Sequence, residues 1–302
     1  MRTRSRLLVL VVAAAVALSP LSLSAHEGAH AVEALNFNRP EAWALKYFTS
    51  ATLFSGLETP RTRNPWSVSF GVEIGWLKPV SPANRFVGFN GTKQEDLNKA
   101  PVFARPRVAI GLPARLTLLV GVDPPLHTFG ITPRLLAFGL ERPVYESEPW
   151  TLGLRATGQV GTVEGAYACP SSVLAFAPGS VGNVYGCNAE SSDTASLRYV
   201  GGEFSVAHQR AGSRWSPHAA FGVNYMSVGF HVDAVEFGEP DHTQYTSRGV
   251  TVSGSAGLTL ALTGRLNGSL DAFYTPLPVL RGGQMQNDGF FNIRALMTYR
   301  IH

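Results

Sequence analysis

The sequence predicts an all-β protein, a closed antiparallel transmembrane β-barrel of about ten strands preceded by a short N-terminal helix. Two observations predict this fold: segments of about ten residues alternate apolar and polar side chains, and the connections between them are alternately short and long. Beyond the N-terminus no apolar stretch has the length of a transmembrane helix. A closed barrel is the other backbone arrangement that satisfies every N–H and C=O group in lipid. Eight or twelve strands are the alternatives.

Residues 1–25 have the layout of a cleaved export signal. Arg2, Arg4 and Arg6 precede an apolar run at 7–18, and small residues follow up to Ala25. This run is shorter than the roughly 20 residues that a spanning helix needs. Removal of the signal lowers the formal net charge from +4 to +1, because it takes away three arginines and no acid. The remaining chain has no basic block, so nucleic acid is not expected as a partner.

Residues 38–54 are predicted to form an amphipathic helix ahead of the first strand. Asn38 and Glu41 have the spacing of a capping box, and Pro40 suits a first helical turn. Large apolar residues then recur at helical intervals, at Trp43, Tyr47, Ala51 and Phe54. Two positions are open, inside the barrel as a plug or on its surface as an anchor. The expected domains are the signal at 1–25, the tail and helix at 26–64, and the barrel at 65–302.

The clearest strand lies at residues 66–76. Its apolar face carries Trp66, Val68, Phe70, Val72, Ile74 and Trp76, and its other face carries Ser67, Ser69, Gly71, Glu73 and Gly75. Alternation over eleven residues matches the length of a tilted membrane strand. An aromatic residue at each end fits the two headgroup layers of a bilayer, where we also expect Trp150, Trp215 and Tyr299.

The last strand, at residues 291–301, repeats this alternation. One face carries Phe291, Ile293, Ala295, Met297, Tyr299 and Ile301, and the other carries Asn292, Arg294, Leu296, Thr298 and Arg300. With this final strand the sequence resembles bacterial outer-membrane β-barrel proteins, and its layout resembles uncharacterised members with a helix before the first strand. It ends at His302 rather than at their commonest final residue, an aromatic. The resemblance implies the outer membrane of a Gram-negative bacterium, contact with its lipid, and recognition of the final strand by the barrel-assembly machinery.

Eight further strands are predicted between these two, at residues 105–112, 115–122, 128–141, 150–161, 196–208, 215–230, 245–262 and 265–275. Bacterial barrels join their strands by short periplasmic turns and longer outer loops. The connections 113–114, 142–149, 209–214 and 263–264 are short, and 77–104, 162–195, 231–244 and 276–288 are long. One connection departs from this order, because 123–127 is short where a long outer loop is expected.

The two cysteines, Cys169 and Cys187, lie in one of the long loops. An exported protein reaches an oxidising compartment, so we expect them to form a disulfide, which stabilises by roughly 3 kcal/mol in the chain-entropy picture. A metal site is not expected there, since the stretch between them holds no further Cys or His. No cofactor is expected either.

The side chains opposite the apolar stripes are the predicted lining of the lumen. They are polar: Glu73, Arg107, Arg115, Arg155, Gln159, Glu203, Asn267, Asp271, Arg294 and Arg300. Five arginines face three acids, which predicts a lumen that prefers small polar or anionic solutes. The alternative is an interior filled by arginine-carboxylate pairs with no continuous path, because side chains already fill a barrel of roughly eight strands.

Two short motifs match catalytic patterns without their setting. His26, Glu27 and His30 have the spacing of a zinc protease motif, which works only on a helix, and they lie beside the expected cleavage site. Asp241 and His242 fall in an outer loop with no partner assigned from other strands. We therefore expect no enzyme.

The expected function is a narrow channel or transporter for a small solute, with the helix as a candidate gate. The alternative is a non-conducting barrel whose outer loops serve adhesion or structural support.

Overall fold

The structure is a computed structural model that describes residues 32–55 and 57–301. Ten strands form the barrel: β1 (Val68–Leu77), β2 (Val102–Leu112), β3 (Leu116–Asp123), β4 (Ile131–Ser147), β5 (Trp150–Gly165), β6 (Asp193–His208), β7 (Trp215–His231), β8 (Gln244–Ala261), β9 (Leu266–Thr275) and β10 (Phe290–Arg300). Each pairs antiparallel with its neighbours in the chain, and β10 pairs with β1, so the barrel is closed. The predicted fold class is confirmed. The expected export signal and the motif at 26–30 lie outside the described residues.

The outer surface of the barrel is apolar. Side chains alternate along each strand, and outward residues such as Phe70 and Val72 on β1 and Phe221 on β7 are about half exposed. Aromatic side chains mark both rims: Trp66, Trp150, Trp215 and Tyr299 lie at the end of the short turns, and Trp76 lies at the end of the long loops. Such a continuous apolar band suits hydrocarbon and not water, so the barrel is a transmembrane one.

One short turn differs from its prediction. The sequence predicts a turn over 142–149, whereas β4 continues to Ser147 and β5 begins at Trp150. The added residues pair with the start of β5, with a register shift between Pro143 and Tyr145. The predicted extent is wrong because this irregularity breaks the period-two alternation by which a strand is identified in the sequence. The turn between β2 and β3 is a tight one at Pro113–Arg115, with Ala114 in a left-handed conformation.

The long loops lie at the opposite end and carry structure of their own. The β1–β2 loop contains a 3₁₀ turn (Pro82–Arg85), a pairing of Phe86–Val87 with Lys93–Gln94, and a tight turn at Gly88–Gly91. Two-stranded ladders follow β7 (Ala234–Glu236 with Glu239–Asp241) and β9 (Pro278–Arg281 with Gln284–Asn287). The β5–β6 loop contains a 3₁₀ turn (Ser171–Val173) and the disulfide between Cys169 and Cys187, which confirms that prediction.

The N-terminal helix α1 (Pro40–Ala51) lies inside the barrel, with most of its side chains buried. The preceding segment Glu33–Ala34 pairs in parallel with Tyr245 and Thr246, at the long-loop end of β8. The chain therefore enters the lumen from the long-loop end, and residues 57–67 lead to β1 at the end of the short turns. Of the two positions that the sequence left open, the structure has the one in the lumen.

The start of α1 differs from the predicted capping box. The residue before the helix is Arg39, whose side chain makes no capping hydrogen bond to the first turn. Glu41 instead forms an ion pair with Arg39 (2.8 Å) and accepts a hydrogen bond from the backbone N–H of Asn90. A contact with a loop distant in sequence thus replaces the local one that the spacing predicts. Among the described residues, no helix is long and apolar enough to cross a membrane.

Candidate functional site

The half of the lumen next to the long loops is filled by α1 and apolar wall residues. Trp43, Leu45 and Tyr47 belong to one buried cluster with inward residues of the wall, among them Leu197 on β6 and Phe273 on β9. The helix also donates hydrogen bonds to loop carbonyls, from Trp43 Nε1 to Asp288 (2.9 Å), from Lys46 Nζ to Pro278 (2.7 Å) and from Tyr47 OH to Lys78 (2.8 Å). The helix therefore plugs this half of the barrel.

Four wall arginines hold the chain where α1 ends and below it; we call Arg105, Arg107, Arg155 and Arg294 the arginine clamp. They donate hydrogen bonds to backbone carbonyls of the plug: Arg294 to Ser50 (3.0 Å) and Leu53 (2.5 Å), Arg105 to Thr52 (2.9 Å), Arg107 to Ser55 (3.3 Å) and Arg155 to Glu58 (2.8 Å). The last carbonyls of a helix lack helical N–H partners and carry the negative end of its dipole. The guanidinium groups match both the hydrogen-bonding need and the charge.

Each arginine of the clamp also faces a carboxylate of the wall. Arg105 pairs with Asp123 (2.5 Å), Arg107 and Arg294 share Glu73, and Arg155 pairs with Glu141 (2.6 Å) and with Glu203. All of these side chains are buried. Burial of a charge is tolerated when a partner and hydrogen bonds compensate it. The interior charges thus compensate one another, and the clamp is not a free cationic lining for an anionic solute.

The structure places the ten residues of the predicted lining in three settings. Seven are buried inside the barrel: Glu73, Arg107, Arg155, Gln159, Glu203, Asp271 and Arg294. Asn267 is half-buried near the short-turn end of β9, and Arg300 is exposed at the end of β10. Arg115 is exposed in the Pro113–Arg115 turn, where it pairs with Glu146 (2.5 Å). Arg115 and Arg300 therefore lie at the rim.

Charged or titratable interior residues absent from the predicted lining include Arg105, Asp123, Glu141 and His218. The first three lie at or next to the ends of the predicted strands, where alternation is least certain. The signal that could have identified Arg105 is its parity, since it lies two positions before Arg107 on the same strand face. The same alternation, continued past the predicted end of β3, places Asp123 inside.

His218 forms a buried pair with Asp271, with 2.8 Å between Nε2 and Oδ1. Its Nδ1 lies 3.3 Å from the backbone carbonyl oxygen of Ser216. Both ring nitrogens are thereby engaged, and in the described part of the chain no side-chain hydroxyl or thiol hydrogen-bonds this ring. The pair resembles the base and orienting group of a hydrolase but presents no nucleophile.

The barrel wall has a gap on one side, which we call the lateral notch. β3 is the shortest barrel strand, at eight residues, and it pairs with β2 only as far as Arg107–Gly121 and with β4 only as far as Asp123–Leu135. β2 continues to Val102 and β4 to Ile131, each paired on its other side alone. Four to five residues on either edge correspond to roughly 13–17 Å along the strands.

Two prolines lie on the edges of the lateral notch, Pro106 on β2 and Pro133 on β4. Proline has no backbone N–H, and within sheets it is confined to edges, strand starts and bulges. The sequence is therefore compatible with unpaired edges at this height of the wall. The notch is bounded towards the outside by the short loop 124–130, whose Leu126 and Phe129 are exposed.

Behind the notch lies a cavity of about 480 Å³, the inner cavity. Its lining is mainly apolar and comes from α1 (Tyr47, Phe48, Ala51), from inward wall residues (Phe103, Leu135, Val163, Leu197), from residues on the outer face of the wall (Ile74, Ala104) and from loop residues within 78–79, 97–101 and 124–129. It therefore extends from the plug helix to the lipid-facing surface. Its volume lies within the range of small-molecule sites, roughly 300–1,000 Å³.

A second cavity of about 80 Å³, the outer cavity, lies between α1 and the long loops. Phe48, Leu97 and Tyr167 line both cavities and separate them. The ring centroids of Phe48 and Tyr167 are 5.5 Å apart. A movement of these side chains would connect the space between the loops with the inner cavity.

No protein-family model and no curated protein matches the chain. Several solved outer-membrane proteins are similar to it. The attachment invasion locus protein Ail of Yersinia pestis is 12% identical, the match covers 79% of this chain and 100% of Ail, and the TM-score is 0.31. The outer membrane protease OmpT of Escherichia coli is 11% identical over 78% of this chain and 94% of OmpT, with a TM-score of 0.38. Neisserial surface protein A is 9% identical over 78% and 96%, with a TM-score of 0.29.

Likeness at these identities and TM-scores says nothing about what this chain binds or does. The architecture is established by the chain's own strand ladder, its closure between β10 and β1, and its apolar exterior. A closed antiparallel barrel with an apolar band and aromatic rims is the form in which chains span bacterial outer membranes. The chain accordingly has the architecture of an outer-membrane β-barrel.

Proposed function

We propose that the protein takes up a small apolar molecule into its plugged lumen and passes it sideways, through the lateral notch, to the lipid. The observation that carries this proposal is the inner cavity, which reaches from α1 to the outer face of the wall at Ile74 and Ala104. An apolar molecule leaving by this route passes from one apolar environment to another and never crosses the arginine clamp.

The geometry supports an apolar solute better than the polar or anionic one that the lining arginines predict. The arginines of the clamp are occupied by carboxylates and by plug carbonyls. The plug fills the axis of the barrel, so an axial path for ions would require its displacement from both sets of contacts. A sideways path leaves the plug in place, and α1 then serves as one wall of the cavity.

The setting of this activity is the outer membrane of a Gram-negative bacterium, the membrane in which bacterial barrels of this form occur. The long loops would then face the outside, and the notch would open at the height of the outer half of the bilayer. The final strand β10, amphipathic and paired on both sides with β9 and β1, is the segment that we expect the barrel-assembly machinery to recognise.

The proposal is tested by uptake of the uncharged dye N-phenyl-1-naphthylamine, which fluoresces on reaching a membrane interior. Cells that produce the protein should take up the dye several-fold faster than cells with the empty vector. Ala104 lies on the stretch of β2 that is not paired with β3 and lines the inner cavity, so Ala104→Trp should obstruct the notch and return uptake to the vector level. Ala272→Trp is the matched control, because Ala272 is exposed on the continuous wall between β8 and β10 and should leave uptake unchanged.

Planar-bilayer conductance of the refolded protein distinguishes the alternatives. We expect no steady ion conductance, because the plug closes the axis. An open, anion-preferring conductance would instead favour the channel for polar solutes and overturn our proposal. Dye uptake equal to the vector level, or uptake that is insensitive to Ala104→Trp, would also overturn it; a closed barrel without uptake would leave adhesion or structural support by the outer loops as the function.

A further inference from the structure

The outer cavity combines an apolar floor with charged walls. Its floor is formed by Ala44, Leu45 and Phe48 of α1, and Val87 and Phe230 of the surrounding loop and wall close it laterally. At about 80 Å³ it has room for a head group and a few carbon atoms, and Phe48 separates it from the inner cavity, which is several times larger. A molecule with one polar end and an apolar remainder matches this sequence of spaces.

The charges that line the outer cavity are mostly negative. Four carboxyl groups, those of Glu41, Glu95, Glu236 and Asp241, share it with one cation, Lys93. Lys93 Nζ lies 3.4 Å from Glu236 Oε1 and 3.7 Å from Glu95 Oε1. Glu41 is engaged by Arg39, and Asp241 accepts hydrogen bonds from Thr243.

Glu95 is the carboxyl group of this cavity whose needs are least met. Its Oε2 is buried and has no hydrogen-bond partner among the described residues. Burial raises the pKa of Glu95 to about 8; Lys93 acts against this rise, while Asp193 and Glu236 add to it. A buried carboxyl group with an unpartnered oxygen gains a partner, and its charge is compensated, when a cation binds beside it.

An aromatic pair covers this site from the loop side. The rings of Phe89 and Tyr185 are stacked at 5.2 Å, and Lys93 Nζ lies 4.9 Å from the Tyr185 centroid. Phe89 and Asn90 both have left-handed backbone conformations, with φ of 46° and 57°; asparagine adopts this conformation readily, whereas it is strained for phenylalanine. The faces of aromatic rings attract cations, so this cover adds to the preference of the carboxylates for positive charge.

We propose that the outer cavity binds the protonated amino group of an apolar amine beside Glu95 and is the port through which such molecules reach the inner cavity. This inference rests on the proposed function and names its substrate class. The apolar part of the ligand would lie against Phe48, Leu97 and Tyr167, the residues common to both cavities. An anionic head group would meet like charge, and an alcohol would bring no positive charge to Glu95.

The test is titration calorimetry of the full-length protein in lipid nanodiscs, with empty nanodiscs as the reference. The ligands are n-octylamine, n-octanol and n-octanoate, which differ only in the head group. We expect n-octylamine to bind about tenfold more tightly than n-octanol, and n-octanoate more weakly than both. Between about pH 6 and pH 9 the amine keeps its proton, as a lysine does, while Glu95 ionises. The affinity of the protein for n-octylamine should therefore rise with pH.

Glu95→Gln should lower the affinity for n-octylamine about tenfold, to that of n-octanol, and remove the rise with pH. Asp96→Asn is the matched control, since Asp96 is the neighbouring carboxylate and pairs with Lys99 instead. An amine preference that survives Glu95→Gln, or tighter binding of n-octanoate, would overturn the inference. Failure of the proposed function looks different: Ala104→Trp would leave dye uptake unchanged while the amine preference that depends on Glu95 remained.

Discussion

The two halves of the plug are held in the barrel by different kinds of contact. In the half next to the long loops, the side chains of α1 make the contacts, with Trp43, Leu45 and Tyr47 buried among apolar wall residues. In the other half, the polar contacts run from wall side chains to the plug's backbone, since the arginine clamp binds carbonyl oxygens from Ser50 to Glu58, while apolar plug side chains such as Phe54 are buried there as well.

Because of this difference, the residues whose identity matters for these contacts belong to the plug in one half and to the barrel wall in the other. In the half next to the long loops, the outer half, the identity of the plug residues matters, because apolar packing depends on the shape of both surfaces. In the half next to the short turns, the inner half, the arginines and carboxylates of the wall matter. Polar plug side chains there can vary while their backbone carbonyls remain in place. Substitutions of packed plug residues should therefore be costly in the outer half, and among the polar residues of the inner half the wall should be more sensitive than the plug.

The largest effect is expected from Trp43→Ala in the outer half. It removes a fully buried aromatic side chain and its hydrogen bond to Asp288, and should lower the free energy of unfolding by about 4 kcal/mol. Urea denaturation in lipid vesicles measures this change. Val181→Ala, in an exposed loop position, is the control and should stay within about 0.5 kcal/mol of the wild type. A loss below about 1 kcal/mol for Trp43→Ala would mean that α1 does not pack as described.

Glu73→Gln should have the next largest effect and tests the wall in the inner half. Glu73 compensates both Arg107 and Arg294, so neutralising it leaves two buried guanidinium groups short of a counter-charge. We expect a loss of about 3 kcal/mol in the same urea experiment. The exposed pair between Arg134 and Glu164 provides the control, because Glu164→Gln should cost less than about 1 kcal/mol. Equal effects of the two substitutions would contradict the clamp.

Arg294→Lys sharpens the same point without changing charge. The guanidinium group of Arg294 donates to the carbonyls of Ser50, Ala51 and Leu53 at once, which one ammonium group on a shorter reach does not reproduce. The expected loss is about 2 kcal/mol. Arg134→Lys at the exposed pair should be near neutral. If Arg294→Lys were equally neutral, the clamp would act through charge alone and not through its fork of hydrogen bonds.

The smallest effect is expected from Ser55→Ala in the inner half of the plug. Ser55 is buried, yet Arg107 binds its backbone carbonyl, which alanine keeps. Among the described residues, its side-chain hydroxyl makes one long contact, 3.5 Å from Arg294 Nη1. We expect a loss below about 1 kcal/mol. A loss as large as that of Trp43→Ala would show that polar plug side chains of the inner half matter as much as the packed side chains of the outer half, and the comparison would fail.

Much of the fold can be predicted from the sequence because the two faces of a barrel wall lie in different environments. The alternation at 66–76 and 291–301 reflects lipid on one side and the interior on the other, so the strands and their facing are local properties. The helix was likewise predicted from its spacing, and the disulfide from its compartment. The lining was predicted in part, since parity identifies Arg107 and Arg294 but is uncertain at strand ends such as Arg105 and Asp123.

The short connection at 123–127 was visible in the sequence as a break in the long and short order, but its meaning was not. A short loop becomes a lateral notch only because β2 and β4 continue beyond the end of β3. That depends on registers between strands, which pair residues distant in the chain. The presence of proline at positions 106 and 133 is consistent with unpaired strand edges but does not by itself predict them.

By itself, then, the sequence determined the barrel, its strand faces, the helix and the disulfide, because each follows from a local pattern and its solvent. The tertiary structure alone decided that α1 lies in the lumen, that the arginines bind plug carbonyls and wall carboxylates, and that a cavity opens sideways. These features depend on which side chains, distant in the sequence, come into contact once ten strands close around the plug. A buried charge must be compensated by a partner, and the spacing of residues along the chain does not specify which residue that partner is.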